Sequence, residues 1–364
     1  MKILLVNEAS GLNLSLKKGL TRLGHNVVHA NSVDGGGVQQ RPFDFYFGNP
    51  GSSMYSKIKR NILPFWKVLR FSSFDIVHFV LGITSFSGRF IRYKDLRFFK
   101  RNGSLLSYYG VGCDELSLLR VRPDVDSLPC CQSCMVTDAL GRGCAEHILG
   151  WRSKALAYLD LFDFCTTPVC EYDHCHLLFK NAKHARIPFP ISVSEIEFVP
   201  AKPKKSPLII HSPTRRGFKG THIILAAMER LKERTKDFEF RIVEGLAYGQ
   251  YLRTMKDADI YVDQVFGESF GVAALENLAV GKIVLSGNSS KAQRYMPFYC
   301  EAPIFDASPD PESLAETLFA LLQRKDEFEA LAVKGRKYVE TYHDHVKIAQ
   351  QFLDMWHAKQ KESR

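Results

Sequence analysis

The 364-residue sequence predicts an α/β protein built from two doubly wound domains. Short apolar runs alternate with segments of helical periodicity in both halves of the chain, the pattern of parallel strands joined by crossover helices. A bridge rich in proline and lysine, residues 188–207, separates the two alternating stretches and cannot hold a regular element. We therefore expect an N-terminal domain over residues 1–195 and a second domain over residues 205–340. A C-terminal helix at 341–364 is expected to pack back on the first domain.

The first domain begins with a strand–helix–strand pattern. Residues 2–6 form a short apolar run typical of a strand buried on both faces. A loop of small residues that includes Gly11 follows, and leucines at helical spacing then predict a helix that ends before Gly24. Further strands are predicted at residues 26–30, 74–80, 104–109 and 162–167, with a helix at 148–161 before the last of them.

The alternation restarts after the bridge. Strands are predicted at residues 208–211, 238–243, 258–262 and 282–286, and the helices between them at 221–236, 249–256 and 271–280. Three further helical stretches, 311–322, 327–342 and 345–357, complete the chain. Open parallel sheets bind ligands at the carboxyl ends of their strands, so two such domains facing each other would share one ligand cleft.

The positive charge is concentrated in one segment. Residues 57–101 carry eleven Lys and Arg against two Asp, so they hold most of the formal net charge of +10. Aromatic and aliphatic residues are interleaved with these charges, and two interpretations stay open. The segment binds an anionic membrane surface, or its apolar residues are core and its charges form a solvated face. No nucleic-acid motif accompanies the charge, so we expect no nucleic-acid partner.

The sequence predicts neither a signal peptide nor a transmembrane helix. The apolar run at residues 2–6 is too short for the apolar region of a signal peptide. No stretch approaches the roughly 18 to 20 consecutive apolar residues of a transmembrane helix. We expect a cytoplasmic protein, and under the membrane interpretation of residues 57–101 it would be peripheral on the inner face of the membrane.

Four residues in the middle of the first domain have the local spacing of zinc ligands: Cys131, Cys134, Cys144 and His147. The gap between the two pairs is short and no hairpin pattern accompanies them. A structural zinc site is therefore the less favoured interpretation, and free thiols are the favoured one. We interpret the later Cys165, Cys170 and Cys175 as packing residues.

A glycine-containing basic loop follows the first strand of the second domain. Arg215, Lys219 and the glycines at 217 and 220 lie between the strand at 208–211 and the helix at 221–236. Glycine lets a backbone approach a ligand closely, a helix start favours an anion, and Arg and Lys add full charges. The loop is suited to a diphosphate, although it does not have the order of a Walker A motif. The alternative is an ordinary basic surface loop.

Two glutamates flank the start of the helix predicted at 271–280. Glu268 lies in the loop before this helix, Gly271 lies at its start, and Glu276 lies within it. Amides at the helix start can face a phosphate, while the two carboxylates can accept hydrogen bonds from sugar hydroxyls and from a ribose diol. Two glutamates at this spacing are also common as solvated helix residues.

Residues 210–286 resemble the C-terminal domain of the retaining GT-B glycosyltransferases of family 4. Glu268 and Glu276 match the E-x7-E motif of that family, and the Ala-Asp-Ile strand before the motif and the Ala-x-Gly-Lys step after it also match. In the N-terminal domain, Gly11 matches the glycine-containing loop that approaches the donor. The resemblance implies the GT-B fold, in which two Rossmann-like domains face each other across a cleft.

The resemblance also implies the donor site. Arg215 and Lys219 fall where the family keeps an Arg and a Lys on the donor diphosphate, with Arg216 as a rival for the first role. Glu268 would hold the hydroxyls of the transferred sugar as a catalytic residue, and Glu276 would hold the ribose. The implied donor-binding set is completed by Glu244, Ser269, Phe270, Gly271 and Val272.

One position departs from the family pattern. Similar bacterial members often carry a His-Gly-x-Asp step after the strand predicted at 104–109, with the His near the donor sugar. Tyr109 stands in that place here, followed by Gly110. His78, at the end of a neighbouring strand, is the candidate substitute, and its alternative role is that of a core residue.

The resemblance implies an enzyme that retains anomeric configuration and uses no metal or other cofactor. The donor would be a nucleotide-sugar, with uridine favoured by family frequency. The acceptor would be a saccharide or a lipid-linked intermediate of a surface polysaccharide. Two alternatives stay open, a nucleotide-sugar epimerase of the same architecture and a catalytically silent binding protein.

Overall fold

The computed structural model describes residues 1–31, 42–46, 73–80, 93–112 and 156–362 of the chain. Within these residues the fold consists of two parallel β-sheets with helices packed against them. The α/β class and the doubly wound, two-sheet architecture predicted from the sequence are therefore confirmed. The zinc-type segment at 131–147 and most of the basic segment at 57–101 lie outside the described residues.

The first sheet has seven strands in the order β3-β2-β1-β4-β5-β6-β7, all parallel. Its strands are β1 (Lys2–Val6), β2 (Asn26–Asn31), β3 (Phe45–Tyr46), β4 (Ile76–Val80), β5 (Leu105–Tyr109), β6 (Phe164–Thr167) and β7 (Lys183–Arg186). Helices α1 (Leu12–Arg22) and α2 (Lys94–Arg101) and a 3-10 helix, Cys170–Leu177, connect some of them.

The second sheet has five parallel strands in the order β12-β11-β10-β8-β9. Its strands are β8 (Leu208–His211), β9 (Glu239–Ile242), β10 (Ile260–Val262), β11 (Ile283–Ser286) and β12 (Ile304–Asp306). The helices that follow β8 are α3 (Arg216–Lys219), α4 (Thr221–Arg234), α5 (Tyr248–Met255), α6 (Val272–Val280), α7 (Ser290–Gln293), α8 (Pro311–Gln323), α9 (Phe328–Tyr342) and α10 (His345–Glu362).

The inner strands are mainly buried on both faces, as their continuous apolar runs predict: β1, β4, β5, β6, β8, β10 and β11. In β1, Ile3 and Leu5 face a core that also contains residues of the second domain, whereas Leu4 and Val6 face a separate core under α2. A third core lies on the other face of the second sheet and includes Ile209. Burial on both faces explains why these strands show no polar alternation in the sequence.

Some element boundaries differ from the sequence predictions. β6 begins at Phe164 rather than at 162, because Phe162 closes a 3-10 helix, Leu159–Leu161. The helix predicted at 148–161 is therefore wrong at its C-terminal end, where residues 159–161 form the 3-10 helix. Residues 148–155 lie outside the described residues. β3, β7 and β12 were not predicted, since they are two to four residues long and β7 reads Lys-His-Ala-Arg.

Helix α10 returns to the first sheet. Phe352 and Trp356 of this helix are buried and make edge contacts with the ring of His78 in β4. At Gly19 of α1, an added Cβ would lie 2.2 Å from the backbone oxygen of His345. The backbones of α1 and α10 therefore touch, which no larger residue than glycine would permit.

The connection between the sheets is tied to the second domain along its length. The Ile191 N–H donates to the His343 carbonyl at 2.8 Å. Further along, Val199 N–H donates to the Val280 carbonyl at 2.8 Å. The buried ammonium of Lys282 donates to the carbonyl of Val199 at 2.8 Å, and burial lowers the pKa of Lys282 to about 8. The Gly-Lys step after α6 is thus a structural anchor.

Arg336 in α9 joins three segments. Its guanidinium donates to the carbonyls of Val193, Ile196 and Ala279 at 2.8 to 3.0 Å. The first two carbonyls belong to the connection between the sheets and the third to the last turn of α6. Charge-assisted hydrogen bonds of this kind are stronger than neutral ones.

We expect the Arg336→Leu change to lower the free energy of unfolding by about 2–4 kcal/mol, because it leaves three partly buried carbonyls without their donor. Urea denaturation of the two proteins measures the difference. Arg324→Leu is the matched control, since Arg324 makes only an exposed pair with Glu327. An equal loss of stability in both variants would contradict the structural role of Arg336.

Candidate functional site

Two loops that follow strand ends meet between the sheets. The segment after β6 contains Cys170 and Glu171, and the segment after β10 contains Ser269. The Ser269 N–H donates to Glu171 Oε1 at 2.6 Å, and the Ser269 hydroxyl lies 3.4 Å from the Cys170 thiol. Carboxyl ends of parallel strands are where open sheets bind ligands. The two sheets therefore present their ligand-binding edges to each other.

Two tyrosines of the second domain strengthen this contact. The Tyr295 hydroxyl lies 2.7 Å from Thr167 Oγ1 at the end of β6 and donates to Asp173 Oδ1 at 2.7 Å. The Tyr299 hydroxyl donates to the carbonyl of Pro168 at 2.6 Å. Hydrogen bonds from the second domain therefore hold the segment that follows β6.

The space beside Gly271, at the start of α6, is open. Gly271 is the residue before this helix, and a Cβ added there would meet nothing within 4 Å. No side chain caps the helix start, and its first turn contains no acidic residue. The first amides of a helix have no partner within the helix and carry the positive end of its dipole. The start of α6 is therefore suited to an anion.

The predicted carboxylates lie on either side of this helix start. Glu268 accepts a hydrogen bond from the hydroxyl of Ser289, whose N–H donates to the Glu268 carbonyl at 3.0 Å. Glu276 lies in the second turn of α6, is 6% exposed and accepts a hydrogen bond from the Tyr248 hydroxyl at 2.8 Å. Both carboxylates are held in place by side chains of neighbouring loops or helices.

The loop that carries Glu268 is fixed at its base. At Gly287, an added Cβ would lie 2.0 Å from the carbonyl oxygen of Gly267. This backbone approach holds the segment before α6 against the segment after β11. Side chains of the same segment are interior: Phe270 is buried against Tyr299, with ring centroids 4.9 Å apart. Only the backbone of Phe270 is therefore placed to meet a ligand.

Lys219 is joined to the same loop through a buried carboxylate. Its ammonium lies 2.7 Å from Asp263 Oδ1 and donates to Gln264 Oε1 at 3.2 Å. Asp263 is fully buried, and its other oxygen accepts a hydrogen bond from Ser286 at 3.0 Å. Gln264 in turn donates to the Ser269 carbonyl at 3.0 Å. The charge of Lys219 is thus fixed beside the loop that leads into α6.

The neighbouring arginines have different surroundings. Arg216 makes a two-pronged ion pair with Glu244, with Nε 2.9 Å from Oε1, and this partner lowers the pKa of Glu244. Arg215 stacks on Phe218, with its guanidinium carbon 4.3 Å from the ring centroid. Arg216 and Glu244 hold each other in this structure. The roles of Arg215 and Glu244 stay predictions.

On the side of the first domain, Gly11 precedes α1 in a left-handed conformation with φ 84°. Ser10 also has a positive φ, 53°, so the turn between β1 and α1 is tight. Glu8 accepts a hydrogen bond from the Leu14 N–H at 3.0 Å and therefore places a carboxylate at the start of α1. Glu171 is a site neighbour that the sequence prediction missed, because no motif includes it.

Tyr109 and His78 have the contacts of core residues. The Tyr109 hydroxyl is buried and lies 3.0 Å from the carbonyls of Ile187 and Pro188. His78 is buried, its Nδ1 lies 2.9 Å from Ser107 Oγ, and burial lowers its pKa to about 3. Phe352 contacts both rings. Their predicted catalytic roles stay predictions, and their geometry favours packing.

No helix among the described residues combines the length and the apolar character needed to cross a bilayer. In the described part of the basic segment, Leu96 and Phe99 of α2 are buried, while Lys94, Arg97 and Arg101 are exposed. This part has a core-facing apolar side and a solvated charged side.

Comparison with known proteins gives similarity of fold. No family model matches the sequence, and no curated protein matches it. Among solved structures, sucrose-phosphate synthase from Thermosynechococcus elongatus superposes with a TM-score of 0.64 at 13% identity and covers 100% of both chains. HepE from Anabaena, in complex with UDP and glucose, gives a TM-score of 0.60 at 13% identity over 98% of this chain and 100% of its own.

A third structure is WaaG, a glycosyltransferase involved in lipopolysaccharide biosynthesis, with a TM-score of 0.56 at 14% identity. The alignment covers 98% of this chain and 99% of WaaG. These similarities span nearly the whole chain and include both sheets. The protein therefore has the GT-B fold, two Rossmann-like domains facing each other, as the sequence predicts.

We expect burial of His78 to make stability depend on pH. Its pKa is lowered to about 3 in the folded protein, so below pH 6.5 only the unfolded chain takes up this proton, and stability falls. Between pH 7 and pH 5 this one group should remove about 2 kcal/mol. The His78→Leu variant should lack that part of the loss in urea denaturation at the two pH values.

The matched control is Ser107→Ala, which removes the hydrogen-bond partner and keeps the imidazole. This variant should keep the pH dependence of the wild type. If His78→Leu has the same pH dependence as the wild type, His78 takes up a proton in the folded protein, and the core assignment is wrong.

Proposed function

We propose that the protein is a glycosyltransferase that transfers a sugar from a nucleoside-diphosphate donor to a saccharide or lipid-linked acceptor with retention of configuration. The observation that carries this proposal is the uncapped start of α6, which faces open space at Gly271 between Glu268 and Glu276. An anionic group and two neighbouring polyols would be accommodated there together.

Departure of the nucleoside diphosphate is the step that most needs stabilisation. The amides at the start of α6 supply fixed dipoles, and Lys219 supplies a charge whose position is set by Asp263. Preorganised dipoles and charges stabilise a developing charge without reorganisation, and their effect is stronger where water is excluded. Arg215 is the second candidate cation. This set of groups performs the work without a metal ion.

The two glutamates have binding roles in the proposal. Glu268 lies before the helix and would accept hydrogen bonds from hydroxyls of the transferred sugar. Glu276, held by Tyr248, would accept hydrogen bonds from the ribose diol. A hydrolase would need its two carboxylates on opposite sides of the scissile bond at a set separation. Here Glu268 precedes α6 and Glu276 lies in its second turn, and we assign both to binding.

The comparisons support a uridine nucleotide. HepE has been solved with UDP, with UDP and glucose, and with UDP-glucose, and an α-glucosyltransferase of similar fold with UDP-glucose. WaaG supports a lipid-linked acceptor through its part in lipopolysaccharide biosynthesis. Together with the basic residues of the 57–101 segment, this favours a cytoplasmic enzyme that works at the inner face of a membrane.

Glu171 has a part in this proposal. Its carboxylate accepts a hydrogen bond from the Ser269 N–H, and Ser269 lies two residues before Gly271. A donor whose sugar or phosphate takes this amide must displace Glu171, which lies on the other domain. Donor binding is therefore coupled to a change of this interdomain contact.

We expect Glu268→Gln to lower kcat by about 10²–10³, because a neutral amide replaces the carboxylate that binds the sugar hydroxyls in the transition state. The assay measures release of UDP and the fate of labelled UDP-glucose with a panel of saccharide and lipid-linked acceptors. Glu316→Gln is the control, since Glu316 is exposed on α8.

Full turnover by Glu268→Gln would refute the assignment of this residue. Conversion of the donor to an isomer, without an acceptor product, would identify an epimerase. Donor binding without turnover in the wild type would identify a silent binding protein. The anomeric configuration of the product, read by NMR, tests retention.

A further inference from the structure

Three side chains with metal-ligand chemistry lie together at the edge of the domain contact. Asp173 and His176 belong to the 3-10 helix Cys170–Leu177, and His184 belongs to β7. One ligand atom of each lies within 4.8 Å of the other two. Neither histidine has a role in the sugar transfer proposed above.

The surroundings of His176 prepare its imidazole for a metal. Its Nδ1 bonds to the backbone carbonyl of Asp173, so Nδ1 carries the ring proton. This leaves Nε2 as the nitrogen with the lone pair. Metal-binding histidines show the same arrangement, in which one ring nitrogen donates to a carbonyl and the other binds the ion.

The ring of His184 lies beside that of His176, with centroids 4.9 Å apart. Its Nε2 is 3.7 Å from Asp173 Oδ1 and 3.2 Å from Thr167 Oγ1. Two neighbouring imidazoles and a carboxylate therefore converge at one point.

Asp173 has the supporting contacts of a metal-binding carboxylate. Arg186 Nη2 donates to Oδ2 at 3.3 Å, and the Tyr295 hydroxyl donates to Oδ1 at 2.7 Å. Each carboxylate oxygen can accept more than one bond, so Oδ1 can hold Tyr295 and an ion together. Such outer contacts orient a ligand and raise its affinity for the metal.

We propose that Asp173, His176 and His184 bind one transition-metal dication of the zinc type. Two imidazole nitrogens and one carboxylate oxygen suit Zn²⁺, whereas Mg²⁺ and Ca²⁺ prefer oxygen ligands alone. Bond lengths of about 2.0–2.2 Å require the three ligand atoms to move closer by small side-chain rotations. His184 and Asp173 are partly exposed, so solvent can supply the fourth ligand of the ion.

The site would link the two domains. Tyr295 belongs to the second domain and binds the proposed ligand Asp173, while Arg186 donates to the Tyr295 carbonyl at 3.2 Å and covers its ring. A bound ion fixes Asp173 and, through it, the Tyr295 contact. The ion acts as a structural clamp and takes no part in sugar transfer.

The test uses the full chain after removal of metals with a chelator. Titration of ZnCl₂ by calorimetry should show a site that the double variant His176→Ala/His184→Ala weakens by about 100-fold or more. The His222→Ala variant is the control, because His222 is exposed on α4 and should leave zinc binding unchanged. Melting curves without metal establish that each variant is folded. If the double variant fails to fold, His176→Ala alone is used. The hydrogen bond that this change removes is to the Asp173 carbonyl, within the same 3-10 helix.

Cobalt absorption separates this site from the cysteines at 131–144. Co²⁺ bound to imidazole and carboxylate gives visible bands without the intense thiolate charge-transfer band, and these bands should disappear in the double variant. Equal zinc affinity in the wild type and in the variant would overturn the proposal. So would a wild type that binds no zinc, or cobalt spectra that show only thiolate ligands.

Discussion

The buried carboxylate of Asp263 is the constraint on which the donor side of the cleft depends. A carboxylate with no exposed surface must be paired and hydrogen-bonded, because desolvation of an unpaired charge is strongly unfavourable. Lys219 and Ser286 provide these bonds, and they draw the segments after β8, β10 and β11 to one point. The loop into α6 and the charge beside it are consequently positioned together before any ligand arrives.

Contact between the domains is the second determinant. It combines directed hydrogen bonds from Ser269, Tyr295 and Tyr299 to the segment after β6 with the connection held by Arg336. The apolar core that contains Ile3 and Leu5 of β1 also includes residues of the second domain, so the contact is both polar and apolar. Glu171 lies in this contact and borders the helix start.

The fold could be predicted from the sequence because doubly buried strands leave continuous apolar runs, as in β1 and β8. The start of α6 was predicted to within one residue, since glycines at 271 and 281 bracket the helix. β7 is short and polar and carries no such pattern. Glu171 could not be found because it meets Ser269 only in three dimensions, 98 residues along the chain. The hydroxyl of Tyr109 bonds to backbone carbonyls, which leave no trace in the sequence.

Calorimetric titration of UDP into the wild type and the Gly271→Leu variant tests the central claim most directly. Gly271 has an extended backbone, φ −110°, and open space at its Cβ position, so leucine should fold normally and fill the proposed anion site. We expect UDP to bind the wild type and to lose about tenfold or more of its affinity in the variant, with an unchanged melting temperature of the free protein. Equal affinity of both proteins for UDP, or no binding to the wild type, would contradict the account.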